Sequence, residues 1–252
     1  MIIDVSFVDA LGEGTGNDVL LILNSGEDVS VDDLFLKTWK RCFFHVCADG
    51  GANRLYDRFK TDESRVDYIP DKIVGDLDSL RSEVRDFYEG LGADILHLPS
   101  QDKHDMDKSL DTIYELQNTR EMKVNVLVLG ACGGRLDQEF GNLNMLYRWS
   151  GEFASIYLLR EYSLVFLVPV GESSVVCSRS MVGEICGLIP LGSPLVRIST
   201  DGLKWDLNEA VLKFGGLVSS SNKIMKKELR INSDAPVLLT CSYNKNNTDT
   251  SC

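Results

Sequence analysis

The stretch Lys72–Ser79 places two carboxylates directly after an apolar run, in an arrangement that could bind a metal ion. Gly75 ends the apolar run, and Asp76 and Asp78 follow two positions apart. If the run is a strand, both side chains lie on one face, roughly 7 Å apart along the chain. Carboxylate pairs suit Mg²⁺, which takes oxygen ligands and keeps phosphates among them. The alternative is a solvated acidic turn in which Ser79 caps a helix.

A third carboxylate, Asp49, follows another apolar run at Cys42–Ala48. Gly50 and Gly51 come next and permit a tight turn into a helical pattern. A carboxylate and two glycines between strand and helix are typical of a βα turn that faces a ligand. We therefore expect this turn to face a ligand; its residues are Asp49, Gly50, Gly51, Asn53 and Arg54.

Asp102 and Asp105 are three residues apart at the start of a predicted helix, so a helical first turn would place them on one side. They are further candidates for the same metal site. The alternative is that acidic residues here only cap the helix and complement its dipole. For Asp105 the two interpretations weigh about equally.

A glycine-rich segment follows a strongly apolar predicted strand, Val124–Leu129. Backbone N–H groups of Gly133 and Gly134 can approach an anion at a helix N-terminus. Arg135 adds donors that suit phosphate, and Asp137 could meet a metal, a substrate amine or Arg135 itself. The spacing is not that of a Walker loop.

Composition narrows the class of protein. The chain has 252 residues, 44% hydrophobic and 25% charged, which is typical of a globular protein with one large or two smaller domains. A formal net charge of −12 argues against nucleic acid as a partner. Neither a signal peptide nor an apolar run of about 18 residues is present. Seven cysteines without paired spacing favour reduced thiols, so we expect a cytoplasmic protein. Because no apolar run has the length of a membrane span, we expect no membrane as a partner.

Strand and helix patterns alternate up to about residue 155, which predicts an open parallel α/β sheet whose ligand crevice lies at its carboxyl edge. From Ala154 onward, short strand-like runs recur about every ten residues, which predicts a small antiparallel β-sandwich or barrel. The predicted domains are residues 1–155 and 156–252. We expect residues 1–17 to be a flexible lead-in and residues 244–252 to be a frayed tail.

The second half offers two groups of residues for a flat heteroaromatic ligand. Trp205 lies near a predicted turn, where its ring could stack on such a ligand. The segment Val218–Asn222 is a hydroxyl-rich loop that could form hydrogen bonds with it. In both cases the simpler alternative is structural, because a single tryptophan is usually part of a core and a Ser/Asn run is usually a turn.

Taken together, six stretches resemble eukaryotic thiamin pyrophosphokinases, and the resemblance extends from about Val19 to Tyr243. They occur in the order typical of that family: Cys47–Asp57, Gly75–Ser79, Gly133–Gln138, Cys186–Gly192, Gly202–Leu207 and Val218–Asn222.

The resemblance implies transfer of a pyrophosphoryl group from ATP to the hydroxyl of thiamin, with Mg²⁺ as cofactor. It implies a homodimer with active sites between subunits. The implied metal ligands are Asp76 and Asp78 with Asp102 and Asp105, and the implied catalytic residues are Asp76, Asp78, Asp105 and Arg135. The implied ATP contacts are Asp49, Gly50, Gly51, Asn53, Arg54, Asp102, Gly133, Gly134, Arg135 and Asp137. The implied thiamin contacts are Trp205, Ser219, Ser221 and Asn222 from the partner subunit.

One position departs from the family pattern: His104 stands where the family usually has threonine. Two other functions fit the same acidic crevice. One is a Mg²⁺-dependent hydrolase of nucleotide pyrophosphates, and the other is a non-catalytic sensor of nucleotide or thiamin. Several aspartates around one crevice favour an enzyme, because gathering like charges is costly unless a metal occupies the site.

Overall fold

The structure is a computed structural model that describes residues 1–10, 13–14, 16–24, 32–160 and 162–244. The chain divides into two compact units. We call Gly12–Leu159 the α/β unit, and Met1–Leu11 with Arg160–Cys252 the β unit. Most of the predicted tail, residues 245–252, and parts of the predicted lead-in lie outside the described residues.

The first strand, β1 (Ile2–Asp4), belongs to the β unit, although it begins the chain. It pairs in parallel with a strand that is about 170 residues further along, and the Met1 ammonium donates to the Glu172 carbonyl oxygen. These residues are therefore not the flexible lead-in that we predicted. Three residues are too few to show a period in the sequence, so the pairing partner, rather than the local pattern, defines this strand.

The α/β unit alternates strands and helices. Its elements are β2 (Asp18–Ile22), α1 (Asp33–Arg41), β3 (Phe44–Ala48), α2 (Gly51–Asp57), α3 (Asp62–Arg65), β4 (Lys72–Gly75), α4 (Ser82–Gly90), β5 (Asp94–His97), α5 (Asp105–Thr119), β6 (Asn125–Leu129), α6 (Leu136–Arg148) and β7 (Ser155–Arg160).

These strands form a parallel sheet in the order β7-β6-β2-β3-β4-β5. Strands β2, β4 and β6 are almost wholly buried, which matches their apolar sequences, and β3 is buried over its last three residues. The chain order reverses between β2 and β6, and ligands of open α/β sheets bind at the carboxyl ends of strands beside such a reversal. Helix α5 packs against β3 and β4 and presents its N-terminus at this edge.

The remaining strands of the β unit are β8 (Ser163–Val168), β9 (Gly171–Val176), β10 (Ile185–Ile189), β11 (Val196–Asp201), β12 (Ala210–Leu212), β13 (Ser219–Lys223), β14 (Glu228–Ser233) and β15 (Val237–Ser242). One sheet has the order β1-β9-β14-β11-β12, and the strands of the other follow the order β13-β10-β15-β8. Apart from β1 with β9, the pairs recorded within this unit are antiparallel.

The predicted fold class is confirmed: an N-terminal parallel α/β sheet is followed by a β-sandwich. Two elements differ from expectation. The run at 154–159, predicted as the first sandwich strand, is β7 and pairs in parallel with β6. The predicted loop at Ser219–Asn222 is part of β13, which pairs with β10 across an irregularity between Cys186 and Leu188. Its serine-rich sequence has low strand propensity, so backbone pairing with β10 overrides local preference.

Candidate active site

Three carboxylates meet at the carboxyl edge of the parallel sheet. Asp49 follows β3, Asp76 follows β4, and Asp105 is the first residue of α5. Each can offer one oxygen so that the three atoms lie within 4.8 Å of one another. Within the described residues this is the only such group of potential metal ligands. Two of the three, Asp76 and Asp105, are among the metal ligands that the family resemblance implies.

Gly75 permits the close approach of β4 to Asp49. A Cβ atom at position 75 would lie 2.7 Å from the Asp49 Cβ, which is closer than real Cβ contacts allow. Asp49 itself has φ 43°, in the left-handed region, and its amide donates to the Val74 carbonyl oxygen over 2.9 Å. The turn after β3 is therefore fixed by the neighbouring strand, and the glycine that ends β4 makes room for it.

Asp49 is 2% exposed, and only one of its two carboxylate oxygens has a hydrogen-bond partner. Its Oδ2 accepts a hydrogen bond from the Ser79 amide over 3.2 Å. Its Oδ1 is buried and has no hydrogen-bond partner among the described residues. Burial raises the pKa of Asp49 to about 6, the Ser79 bond opposes this shift, and three neighbouring carboxylates add to it. A buried carboxylate oxygen without a partner is costly, and a cation at this position would remove the cost.

The sequence reasoning missed Lys108, which lies one helical turn after Asp105. Its ammonium nitrogen is 3.2 Å from Asp76 Oδ2 and 3.2 Å from Asp105 Oδ1. Burial alone would lower the pKa of Lys108, but the hydrogen bonds to both carboxylates raise it above the ordinary value. The three-residue spacing from Asp105 was a signal for this contact, because such residues are neighbours on a helix.

The Asp76 and Asp105 carboxyl groups differ in environment. Burial would raise the pKa of Asp76, but hydrogen bonds from Lys108, Gln101 and the Asp78 amide together hold it below its usual range. The Gln101 bond is 2.7 Å long, and this residue was also missed. Burial raises the pKa of Asp105, and the Lys108 bond offsets only part of that shift. The two carboxylates are 12% and 39% exposed.

Asp78 and Asp102, predicted as metal ligands, lie outside the group of three. Strand β4 ends at Gly75 and Leu77 has φ 63°, so the period-2 argument for Asp76 and Asp78 is wrong. Asp78 accepts a hydrogen bond from the Ser79 hydroxyl, although its charge still raises the pKa values of Asp49 and Asp105. Asp102 bonds with Ser100 through both its amide and its carboxylate.

Asn53, predicted to bind ATP, holds the acidic turn in place. Its side-chain nitrogen donates to the Ser79 carbonyl oxygen over 2.7 Å, and its side-chain oxygen accepts from the Arg81 amide over 3.1 Å. Arg81 in turn pairs with Asp57 at the end of α2. The residues between Asp76 and Arg81 are therefore fixed by α2.

Close backbone packing requires the glycine at position 51, and at position 50 an added Cβ would displace the Asn24 side chain. A Cβ at Gly51 would lie 2.2 Å from the Ile22 carbonyl oxygen, and one at Gly50 would lie 2.3 Å from the Asn24 side chain. Arg54 donates from Nε to Asn24 Oδ1 over 3.1 Å. Asn24 follows β2 at the same sheet edge, and the sequence reasoning did not select it.

The glycine-rich segment after β6 borders a cavity of about 130 Å³. Gly133 and Gly134 have φ 95° and 109°, so both adopt conformations that favour glycine. The Gly133 amide donates to Glu139, and Arg135 forms an exposed two-pronged ion pair with Asp137. The cavity lining includes Asn24, His104, Asp105, Gly133, Arg135 and Asn142. A donor-rich cavity beside three carboxylates can receive a phosphate chain together with a cation.

In the β unit, Trp205 is 55% exposed and the Lys204 ammonium lies 4.6 Å from its ring centroid. Asn222, which is buried, accepts from the Trp205 amide over 3.2 Å and donates to its carbonyl oxygen over 2.8 Å. Asn222 also contacts Ser219, which is buried, whereas Ser221 is exposed with φ 59°. The structure thus brings the four predicted thiamin residues together, and Asn222 fixes the backbone that carries the tryptophan.

Two family models match this chain in consecutive segments. One is described as "Thiamin pyrophosphokinase, catalytic domain" and matches residues 35–158. The other, "Thiamin pyrophosphokinase, vitamin B1 binding domain", matches residues 172–238. The first segment contains all three grouped carboxylates, and the second contains Trp205 and Asn222.

Individual proteins agree with the family models. Thiamine pyrophosphokinase 1 of Oryza sativa subsp. japonica is 41% identical over 214 residues, covering 81% of this chain and 80% of that protein. Thiamine pyrophosphokinase 1 of Arabidopsis thaliana is 39% identical over 217 residues, covering 82% and 80%. The structure of thiamin pyrophosphokinase from Candida albicans superposes with a TM-score of 0.83 at 28% identity, covering 96% of this chain and 93% of that one.

These matches show that the chain is an enzyme of the pyrophosphotransferase class. It belongs to the thiamin pyrophosphokinase family. None of the helices in the described residues has the length and apolarity needed to cross a membrane.

Proposed function

We propose that this chain transfers the pyrophosphoryl group of ATP to the hydroxyl of thiamin, giving thiamin diphosphate and AMP. The observation that carries the proposal is the meeting of Asp49, Asp76 and Asp105 at the carboxyl edge of the sheet, with one buried Asp49 oxygen left without a partner. Family membership supports the choice of ATP and thiamin as substrates.

The same three carboxylates are proposed to hold Mg²⁺, with Asp78 next to them and Asp102 contacting the nucleotide. An all-oxygen donor set fits a hard divalent cation, and the unpartnered Asp49 Oδ1 fits a position beside one. When bound, Mg²⁺ would neutralise charge on the phosphate oxygens. Phosphoryl-type transfer depends mainly on positioning of the reacting groups and on charge stabilisation. The main role of the protein residues is therefore to orient the two substrates.

Arg135 and the glycine-rich segment are proposed to contact the transferring phosphates. Arg135 and Asp137 are 70% and 67% exposed, so their ion pair contributes little and Arg135 can exchange it for a phosphate. The Gly134 amide would add a donor. The turn formed by Asp49, Gly50, Gly51, Asn53 and Arg54 would contact the nucleotide and keep the acidic turn in place.

The thiamin hydroxyl needs an acceptor for its proton, and Asp76 and Asp105 are the two candidates. Asp105 is the more accessible, since it is 39% exposed against 12% for Asp76. An accessible carboxylate can meet the incoming alcohol directly. We therefore assign orientation of the hydroxyl to Asp105 rather than to Asp76, while both carboxylates share the metal and the Lys108 contact.

We further propose that two copies form a homodimer in the cytoplasm, with thiamin lying against Trp205, Ser219 and Ser221 of the second copy. The Lys204 contact shows that the Trp205 ring accepts a cation, and a thiazolium ring offers the same interaction. Asn222 would act by holding the Trp205 backbone. Exposed apolar side chains, including Leu136, Phe140, Phe214 and Leu217, offer surface that a second copy can cover.

Product analysis tests the reaction. The protein is mixed with ATP, MgCl₂ and thiamin. The products AMP, ADP and thiamin diphosphate are then separated and quantified. The proposal predicts equal amounts of AMP and thiamin diphosphate, and AMP formation that requires thiamin. AMP formed without thiamin would indicate a pyrophosphate hydrolase, and no AMP over hours would indicate a sensor. Either result would overturn the proposal.

A further inference from the structure

Lys108 is an ammonium group enclosed within the acidic site. It is 3% exposed and lies in the first turn of α5, one turn after Asp105. Its nitrogen is 3.2 Å from a carboxylate oxygen of Asp76 and 3.2 Å from one of Asp105. These two partners come from different elements, the turn after β4 and the start of α5. Lys108 thus bridges two of the three grouped carboxylates.

A buried ammonium between carboxylates affects both the fold and the affinity for a cation. Removing one member of such a buried group leaves the other charges uncompensated, which is strongly destabilising. The same positive charge also repels any cation that approaches Asp76 and Asp105, and it occupies oxygens that a cation would use. A residue that only filled space in the core would affect the fold alone.

We propose that Lys108 is a positioning residue: it holds Asp76 and Asp105 together and weakens the binding of free Mg²⁺, so that the cation binds tightly only with the nucleotide. This inference rests on the proposed function, because it assumes that the three carboxylates hold the metal. In the free protein the Lys108 ammonium balances the charge of Asp76 and Asp105. When the nucleotide is bound, the metal ion that comes with its phosphates takes over this role.

Lys108→Met separates charge from packing, because methionine keeps most of the aliphatic stem and removes the ammonium. Thermal stability is expected to decrease, whereas affinity for Mg²⁺ is expected to increase. In EDTA the midpoint of thermal unfolding falls by several degrees, because the carboxylates repel each other. The dissociation constant for Mg²⁺ without nucleotide falls at least about tenfold, because a competing positive charge is gone.

The matched control is Lys103→Met. Lys103 precedes the same helix, is 39% exposed, and pairs with Asp111 rather than with the three grouped carboxylates. The full-length wild type and both variants are titrated with MgCl₂ by calorimetry and melted in EDTA and in MgCl₂. The control variant loses the same charge as Lys108→Met. The affinity of the control for Mg²⁺ should nevertheless stay within about twofold of wild type, because exposed charges interact weakly at a distance.

If Lys108→Met does not fold in EDTA, the double variant Lys108→Met/Asp105→Asn decides the matter. Folding of the double variant supports the countercharge role, since one negative charge has been removed with the positive one. Failure of the double variant to fold, or unchanged or weaker Mg²⁺ binding by a folded Lys108→Met, overturns the inference. Wild-type protein that neither binds Mg²⁺ nor forms AMP would instead overturn the proposed function.

Discussion

At the scale of single residues, the site is dominated by one imbalance: a buried carboxylate, Asp49, lies against two others and satisfies only one of its oxygens. Proteins rarely keep such a group without a compensating ligand. The imbalance is therefore the physical reason for placing a cation here, and it has a measurable consequence for the metal-free protein.

Asp49 should make the stability of the metal-free protein depend on pH. Its folded pKa, about 6, lies above the value of about 4 for an unfolded chain, so the folded state binds this proton more tightly. The contribution of Asp49 to stability is then fully present below pH ~4 and is lost as the pH rises through ~6. Asp49→Asn removes this loss and should gain up to about 3 kcal/mol over wild type between pH 4 and pH 7.

Urea unfolding in EDTA across this pH range measures the difference. Asp111→Asn serves as the control: Asp111 is partly exposed on α5 and pairs with Lys103 rather than with the three grouped carboxylates, so its loss should change stability by less than about 1 kcal/mol across this pH range. A constant difference between Asp49→Asn and wild type would show that Asp49 does not titrate in this way.

The residue scale also shows where sequence reasoning reached its limit. Asp49, Asp76 and Asp105 were selectable because each follows a strand or begins a helix. The spacing argument for Asp78 assumed that β4 continues past Gly75, whereas the strand ends there and Leu77 adopts φ 63°. Gln101 carries no charge and lies in a loop, so no local pattern marked it as a partner of Asp76.

At the scale of elements, the site depends on how closely β4 approaches the turn after β3. Gly75→Ala would place a Cβ 2.7 Å from the Asp49 Cβ, so the turn must move. We expect a loss of about 1–3 kcal/mol in the free energy of unfolding, together with a clear fall in turnover, because Asp49 leaves the other two carboxylates.

Gly90→Ala is the matched control for this substitution. Gly90 is the last residue of α4, and an added Cβ there would meet no atom within 4 Å. Its stability should be unchanged or slightly higher, since alanine favours a helix. Denaturation and AMP formation are measured for both variants. Equal effects at the two positions would contradict the role given to the close approach at Gly75.

Element types were predictable where a long pattern existed, as for β2, β6 and α5. Elements that depend on distant partners were not. β13 is rich in serine and became a strand through pairing with β10, and β1 has three residues that pair with β9. In both cases tertiary pairing outweighs local propensity, which a single sequence does not reveal.

At the scale of the whole molecule, the chain combines a parallel α/β unit with a β-sandwich, as the change from helix–strand alternation to closely spaced strands predicted. The assignment of Met1–Leu11 to the β unit was not predictable, because nothing near those residues specifies a partner about 170 residues away. The separate roles of the two units remain proposals that depend on the homodimer.

Light scattering after gel filtration tests that homodimer. We expect a mass of twice the 28.1 kDa of one chain at micromolar concentration. Charged substitution of Phe140, which is 50% exposed on α6, should lower this mass if its surface is covered by a second copy. A wild-type mass equal to that of one chain would contradict the proposal that thiamin binds between two subunits.

The central claim is that Asp76, together with Asp49 and Asp105, holds the cation on which turnover depends. Its most direct test is the rate of AMP formation by Asp76→Asn and by Asp111→Asn with ATP, thiamin and saturating MgCl₂. The account predicts a loss of at least about 100-fold for Asp76→Asn and less than about threefold for Asp111→Asn. Near-wild-type turnover by Asp76→Asn would contradict it.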